Sequence, residues 1–413
     1  MISYAKALGL IEKISIKLKN EKISTINSIN RVSAENVLSP NNNPLSNNAA
    51  FDGFAILSKE TKNLSKQKFK KFKILKTIAA GDNPKIKNYK KNSVVEVMTG
   101  GLIPKYYDSI LPIEKAKFYP SNNKPTHIII SEKVKKFSHV RFAGEDYKKN
   151  DVILKKGQLI RPKHLMAFTS LGIKEVQVKK KPKIIFFSTG NEIVDYKKKN
   201  IPTWKVRNSN NYYFKTLAES MNLEVLNGGT IKDNNPNKLK KSINRFLKSD
   251  IDLFVTSGAI SAGKYDFIPN LIKNIGFKKC FKGVAIKPGR PIMLSKLKNK
   301  IFFGLPGNPI SCAAGFRFFI YPLLRNSLGM LKEKKFKASL VNKYSKSKKF
   351  THFARCLINF NNKGLGKLQV LQGQQSHRID SFVKANCWGI FPSGRDKFKS
   401  SNIIEWVYLT PES

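Results

Sequence analysis

The sequence predicts a multi-domain α/β and β protein: a doubly wound α/β domain, an N-terminal helix plus β-rich module, and a small C-terminal β module. Three patterns lead there. Between residues 181 and 330, continuous apolar runs alternate with helical periods, as buried parallel strands and crossover helices require. Between 51 and 143, and again beyond Leu331, short apolar runs are cut by Gly, Asn and Pro turns, which is the texture of a β-rich module.

The elements follow in chain order. Residues 3–19 place Ala7, Leu8, Leu10, Ile11, Ile14 and Leu18 at helical spacing, predicting an amphipathic helix. Residues 40–48 are rich in Asn and Pro and break regular structure. Strands are expected at Phe54–Leu57, Phe72–Leu75, Val94–Met98, Ile110–Ile113 and Ile128–Ile130, then a helix at His164–Leu171 ended by Gly172. Lys183–Ser188 (KIIFFS) reads as a buried parallel strand running into Thr189-Gly190. A helix at 211–221, strand Leu223–Leu226, helix 236–248 and strand Asp252–Thr256 continue the alternation. A helix near 266–275, strands near 284–287, 291–295 and 301–304, and a helix at 309–328 complete it. The expected domains are 1–50 with 144–180 (mixed helical and linker), 51–143 (inserted, β-rich), 181–330 (α/β) and 331–413 (small β).

Charge is the feature most open to misreading. Lys+Arg number 77 against Asp+Glu 27, a formal net charge of +50. Such a balance suggests nucleic acid or a membrane surface, yet only 11 of the basic residues are Arg. Arg is the side chain that reads phosphates and base edges bidentately. Lysines scattered beside abundant Asn and Ile fit a compositional bias on permissive surface positions, so no specific nucleic-acid partner is expected. The four cysteines show no CxxC spacing and the histidines no paired spacing, which argues against structural zinc. No apolar run approaches the roughly 20 residues of a membrane span. A cytoplasmic protein without membrane partners is expected.

Acids are scarce, so their positions inform. Several stand beside glycine in turn-like strings: Asp52-Gly53, Gly144-Glu145-Asp146, Gly190-Asn191-Glu192 and Gly263-Lys264-Tyr265-Asp266. Turns favour Asp and Gly on their own account. Two of these strings, however, follow predicted parallel strands, where ligands bind in open α/β sheets. Small residues at Ser188-Thr189-Gly190 and across Thr256–Gly263 let backbone N–H groups approach a phosphate, and a nearby carboxylate can hold a divalent cation. Neither loop is a GxxxxGK[ST] or GxGxxG motif, which removes support for a P-loop or hydride-transfer enzyme. Lys287-Pro288-Gly289-Arg290-Pro291 could present fixed positive charge to an anion, and Gly304–Pro309 suits a turn into a helix.

Together and in this order, these strings resemble the molybdopterin molybdotransferase family, which includes the E domain of gephyrin. Asn47–Ala55 around Phe51-Asp52-Gly53 is similar to the family's S-A-M-D-G-Y-A. Met98-Thr99-Gly100-Gly101 with Pro104 and Asp108 is similar to M-T-G-A-x-x-P-x-x-x-D, and Arg141–Asp146 to R-x-x-G-E-D. Ser188–Glu192, Ser257–Asp266, Pro288–Pro291, Leu305–Pro309 and Gln375-Ser376-His377 carry the likeness through the rest of the chain. The resemblance implies an enzyme that inserts molybdate into adenylylated molybdopterin with release of AMP, in molybdenum cofactor biosynthesis. It implies Thr189, Gly190, Ser257, Gly258, Ser261 and Gly263 as substrate-binding residues, and Lys287, Pro288, Arg290 and Pro291 as a further set toward molybdate. Glu192 and Asp266 are the implied Mg2+ ligands, and Asp52, Asp146 and Thr99 the catalytic group. A homodimer is implied, with a molybdopterin adenylyltransferase and recipient molybdoenzymes as protein partners.

Departures from the family pattern are specific. Phe51 replaces Met, Asn191 and Asn208 replace acids, and Ala259 replaces the second glycine of G-G-V-S. If that glycine adopts positive φ, alanine costs about 1 kcal/mol there. Asp233 matches a family Asp loosely. Two other readings share parts of the pattern. One is another enzyme on the same α/β module, such as a molybdopterin adenylyltransferase or a nicotinamide-nucleotide amidase-like protein; the other is a gephyrin-like scaffold. The N-terminal motifs discriminate against the first.

Overall fold

The computed structural model describes residues 1–411 apart from 87 and 261–265. The chain divides into two compact units, one of Met1–Glu35, Lys155–Leu165 and Glu175–Ser413, the other of Asn36–Leu154 and Met166–Lys174.

The first unit is organised by a six-stranded mixed sheet. Its order is Glu224–Ile231, Lys183–Thr189, Leu253–Ser257, Lys300–Leu305, Met293–Leu297 and Lys278–Lys282. The first four strands pair in parallel, and the last two are joined on by antiparallel pairings, so only Met293–Leu297 runs against the rest. The alternation inside KIIFFS shows why both faces are covered. Ile184 and Phe186 pack with Phe214 and Phe316 on one side. Ile185 and Phe187 pack with Leu239, Ile243 and Ile272 on the other. Each side chain so buried contributes about 1.5–3 kcal/mol. The helices Asn210–Ser220 and Pro309–Gly315 serve the first face, Pro236–Leu247 and Ile268–Ile275 the second.

Two expectations change here. One edge strand is Lys278–Lys282, which was not expected because its lysines leave no apolar run to mark it. The strand expected near 284–287 shrinks to Ile286–Lys287 and pairs with Thr351 and His352 of the C-terminal sheet, not with the α/β sheet. That C-terminal sheet runs Thr351–Phe360, Gly366–Val370, Phe336–Leu340, Ile403–Tyr408 and Cys387–Phe391. A further pairing of the first with the last closes it on itself, so its core of Cys356, Leu368, Cys387, Phe391 and Trp406 lies inside a small barrel.

The N-terminal helix is shorter than its periodicity suggested. It spans Tyr4–Glu12, with Ser3 Oγ accepting the Lys6 N–H (3.2 Å) as N-cap. Beyond Lys13 the β-branched residues Ile14 and Ile16 favour extended backbone, and the Ile16 N–H finds Ser327 Oγ at 2.9 Å instead of a helical carbonyl.

The second unit carries a six-stranded sheet in the order Ser109–Pro112, Gly53–Ile56, Ser93–Val97, Lys70–Ile78, His127–Ile130 and Lys117–Tyr119. All five apolar runs expected between 51 and 143 are strands of this sheet. Phe54, Ile56, Phe72 and Val94 fill one face, Ala55, Val95 and Val97 the other.

Candidate active site

The carboxyl ends of the parallel strands open on a cavity of about 610 Å3 in the first unit. Thr189, Gly190, Glu192, Ser257, Gly258, Asp266 and Pro291, all singled out from sequence, line it. Ser261 and Gly263 lie outside the described residues.

Local bonding shapes each loop. Thr189 Oγ1 donates to the Ser257 carbonyl (2.9 Å), tying the loop after Lys183–Thr189 to the loop after Leu253–Ser257. The Gly258 N–H donates to the Leu305 carbonyl (2.8 Å), which fastens the same loop to the next strand. Gly258 has φ +96°, and a Cβ there would stand 2.6 Å from Thr189 Oγ1 and 2.7 Å from its carbonyl oxygen. Only glycine fits. The Glu192 carboxylate folds over Gly190, 2.7 Å from where a Cβ would be, which aims it back at the strand end.

Ala259 meets the condition set out from the sequence: its φ is +51°. L-residues bear a steric penalty in this region, so the loop holds a strained alanine beside the cavity. Ala259→Gly should therefore raise unfolding stability by about 1 kcal/mol, read as a later urea midpoint. An unchanged or earlier midpoint would mean that the strain is absent.

Three side chains passed over or weighted lightly from sequence also line the cavity. Asp233 exchanges hydrogen bonds with Asn191: the Asn191 N–H donates to Asp233 Oδ2 (3.2 Å), and the Asp233 N–H to Asn191 Oδ1 (3.0 Å). The neutral Asn191 thus braces the neighbouring carboxylate. Asn208 is buried and bonded to Ser188 Oγ (2.9 Å), and the Asn211 N–H reaches its Oδ1 (3.2 Å), so its side chain clamps the loop. His377 enters from the C-terminal domain.

Lys287, Pro288 and Arg290 do not line the large cavity. They line a second one of about 280 Å3 that shares Pro291, Pro306 and Asn308 with it and adds Gln374 and Ser376. Both cations are exposed. Joined to the lining residues of this second cavity are two buried basic groups outside the expected site, His352 in register with Lys287 and Arg355 bonded to Gln374. Arg355 is fully buried; its Nε donates to Ser381 Oγ (3.1 Å) and its Nη2 to the carbonyls of Gly373 and Gln375, while Nη1 has no partner among the described residues. Burial pulls its guanidinium down to about 10. The available signal was its type: an arginine in mid-strand is informative where nearly every other cation is lysine.

His352, register partner of Lys287, shares a hydrogen bond through Nδ1 with the Tyr344 hydroxyl. Burial, with Lys287, Arg355 and Lys346 adding repulsion, pushes it down to about 3. In the unfolded chain it titrates near 6.5. The unfolded state therefore binds the extra proton between these values, and stability is complete above about 6.5 and lost as pH falls toward 3. The expected slope is about 1.4 kcal/mol per pH unit from this group. Denaturant melts of wild type and His352→Gln across that window measure it. Equal slopes would exclude this source.

In the second unit, Asp52 and Thr99 come together. The Thr99 N–H and Oγ1–H both donate to Asp52 Oδ1, at 2.6 and 2.7 Å. These two donors hold the exposed carboxyl below its ordinary range. Asp146 is engaged differently: its Oδ2 accepts from Asn43 Nδ2 at 2.8 Å. The ring of Phe51 is exposed and meets His139 edge-on at 5.0 Å.

A small-residue cavity at parallel strand ends, ringed by carboxylates and adjoined by a cationic recess, defines a multi-domain enzyme built around an anion-binding α/β domain. Family models agree along the chain: the MoeA N-terminal region (domain I and II) matches residues 2–172, a "Probable molybdopterin binding domain" matches 185–326, and the MoeA C-terminal region (domain IV) matches 337–409. A Haemophilus influenzae protein named molybdopterin molybdenumtransferase is 31% identical over 399 residues, covering 96% of this chain and 95% of that one. A Staphylococcus epidermidis protein of the same name is 29% identical, covering 99% and 96%. The crystal structure of a molybdopterin biosynthesis moea protein from Pyrococcus horikosii superposes with a TM-score of 0.84 at 25% identity, covering 100% of both chains. The chain belongs to the molybdopterin molybdenumtransferase (MoeA) family.

Proposed function

We propose that this protein inserts molybdate into adenylylated molybdopterin and releases AMP, as a step of molybdenum cofactor biosynthesis. The observation that carries the proposal is the joined pair of cavities. The larger has the small-residue loops and helix-start geometry that phosphates need. The smaller has Lys287 and Arg290 in its lining, charges suited to a tetrahedral oxyanion. Matches on both sides of the α/β domain favour this reading over an enzyme made of that module alone.

The donor set suits a magnesium ion. Glu192 and Asp266 line the same cavity, although no cluster of three metal-ligating side chains occurs among the described residues. Mg2+ needs only one or two carboxylates when phosphate oxygens and water complete its shell. Glu192 and Asp266 would hold it, and its charge would offset that of the phosphates. Thr189, Gly190, Ser257 and Gly258, with Ser261 and Gly263, would seat the anhydride; Asp52, held by Thr99, and Asp146 would be the carboxylates that act on the reaction. No helix among the described residues is long and apolar enough to cross a membrane; a cytoplasmic homodimer, met by a molybdopterin adenylyltransferase and recipient molybdoenzymes, is the proposed setting.

Calorimetric titration with AMP and adenylylated molybdopterin, with and without Mg2+, tests the site. Binding of both, strengthened by Mg2+, is expected. Absence of binding under every condition would remove the proposal.

A further inference from the structure

We infer that His377 is the proton acceptor for water in the phosphoanhydride cleavage. The inference rests on the reading above and adds a role for a side chain supplied by the C-terminal domain.

Four observations lead to it. First, His377 is the one imidazole among the described residues that line the large cavity. Secondly, it is exposed and has no hydrogen-bond partner among the described residues, so both ring nitrogens are open to a ligand. Thirdly, its loop is held with unusual firmness for a surface segment. Fully buried Arg355 grips the Gly373 and Gln375 carbonyls, and Gln374 bonds back to Arg355 through both backbone groups (3.0 Å each). Asn308 Nδ2 donates to Ser376 Oγ (3.0 Å), and the Ile310 N–H to the Ser376 carbonyl (3.3 Å). A reactive group positioned by rigid support is what chemistry requires. Finally, the alternatives on the cavity wall are committed. Asp233 is braced by Asn191, and Glu192 and Asp266 are the oxygen donors suited to a cation.

The charged groups that share the cavity lining with His377 are these three carboxylates and Arg207, with Lys287 and Arg290 lining the adjoining recess. On its own loop Arg378 is taken up by Asp380 (3.1 Å). Imidazole is the side chain that exchanges protons near neutrality, where carboxylates are already ionised and weakly basic. In the step, a water oxygen bonds to the adenylyl phosphorus. The bond from that phosphorus to the bridging oxygen breaks, and its electron pair leaves with the pterin phosphate. One water proton passes to the imidazole nitrogen and then to solvent. Water is the sole co-reactant.

Single-turnover AMP release from adenylylated molybdopterin, with molybdate and Mg2+, is to be measured against pH for the full-length wild type, His377→Ala and His377→Gln. The wild-type rate should fall about tenfold per pH unit on its acid limb, and both variants should be slower by about 100-fold near neutrality and lose that limb. Added imidazole should restore part of the His377→Ala rate, while melting and AMP affinity stay at wild-type values. Variants within about threefold of wild type that keep the acid limb would overturn the inference and leave the proposed function standing. A loss confined to AMP affinity would also overturn it, making His377 a binding residue. Wild type that binds ligand but releases no AMP would overturn both.

Discussion

Asp52→Asn is expected to lower molybdate-dependent AMP release by at least about 100-fold while leaving the fold intact. The substitution is a test of charge alone. An amide oxygen can still accept the Thr99 N–H and hydroxyl that now reach Oδ1 at 2.6 and 2.7 Å, so local geometry survives and the negative charge does not. Because the side chain is exposed, its replacement leaves no buried group unsatisfied. Binding of the adenylylated ligand should persist, since the phosphate loops belong to the other unit. Retained turnover would show that the Asp52 charge has no part in the reaction; a lowered melting temperature would make the residue structural.

Gly258→Ala should damage binding and stability together. The added Cβ meets backbone oxygen and the Thr189 hydroxyl at distances no real contact tolerates, at a φ of +96°. Relief requires the loop to withdraw from the Lys183–Thr189 strand, breaking the bond from Thr189 Oγ1 to the Ser257 carbonyl. The expected cost is about 2–4 kcal/mol of stability, from steric and backbone strain. AMP affinity should fall by about 100-fold, near 2.7 kcal/mol. Calorimetry and denaturant melts read both. The contrast with Ala259→Gly next door, expected to stabilise, makes the pair informative: one position requires glycine for space, the other is relieved by it.

The α/β domain was the most legible part of the chain. KIIFFS and DLFVT are buried on both faces, so their apolar runs are unbroken and their loops fall where ligands sit. The Lys278–Lys282 strand was not legible, because an edge strand rich in lysine lacks an apolar run. The 13–19 segment misled, since isoleucines at helical spacing are equally suited to extended chain. In the site, glycine-flanked acids stood out because acids are scarce, and Glu192 and Asp266 do line one cavity. Lys287 and Arg290 proved to belong to its neighbour. Arg355 and His352 could not be found by motif, because their significance arises from burial and from pairing between Ile286–Lys287 and Thr351–Phe360. The +50 charge, prominent in the composition, marks none of these positions; the retained acids and the few arginines do.

The most direct measurement is AMP release by the purified protein given adenylylated molybdopterin and Mg2+, with and without molybdate. Release of one AMP per ligand only when molybdate is present, with molybdenum recovered on the pterin product, is the predicted result. AMP formation indifferent to molybdate, or a ligand bound and returned unchanged, would contradict molybdate insertion as the function of this chain.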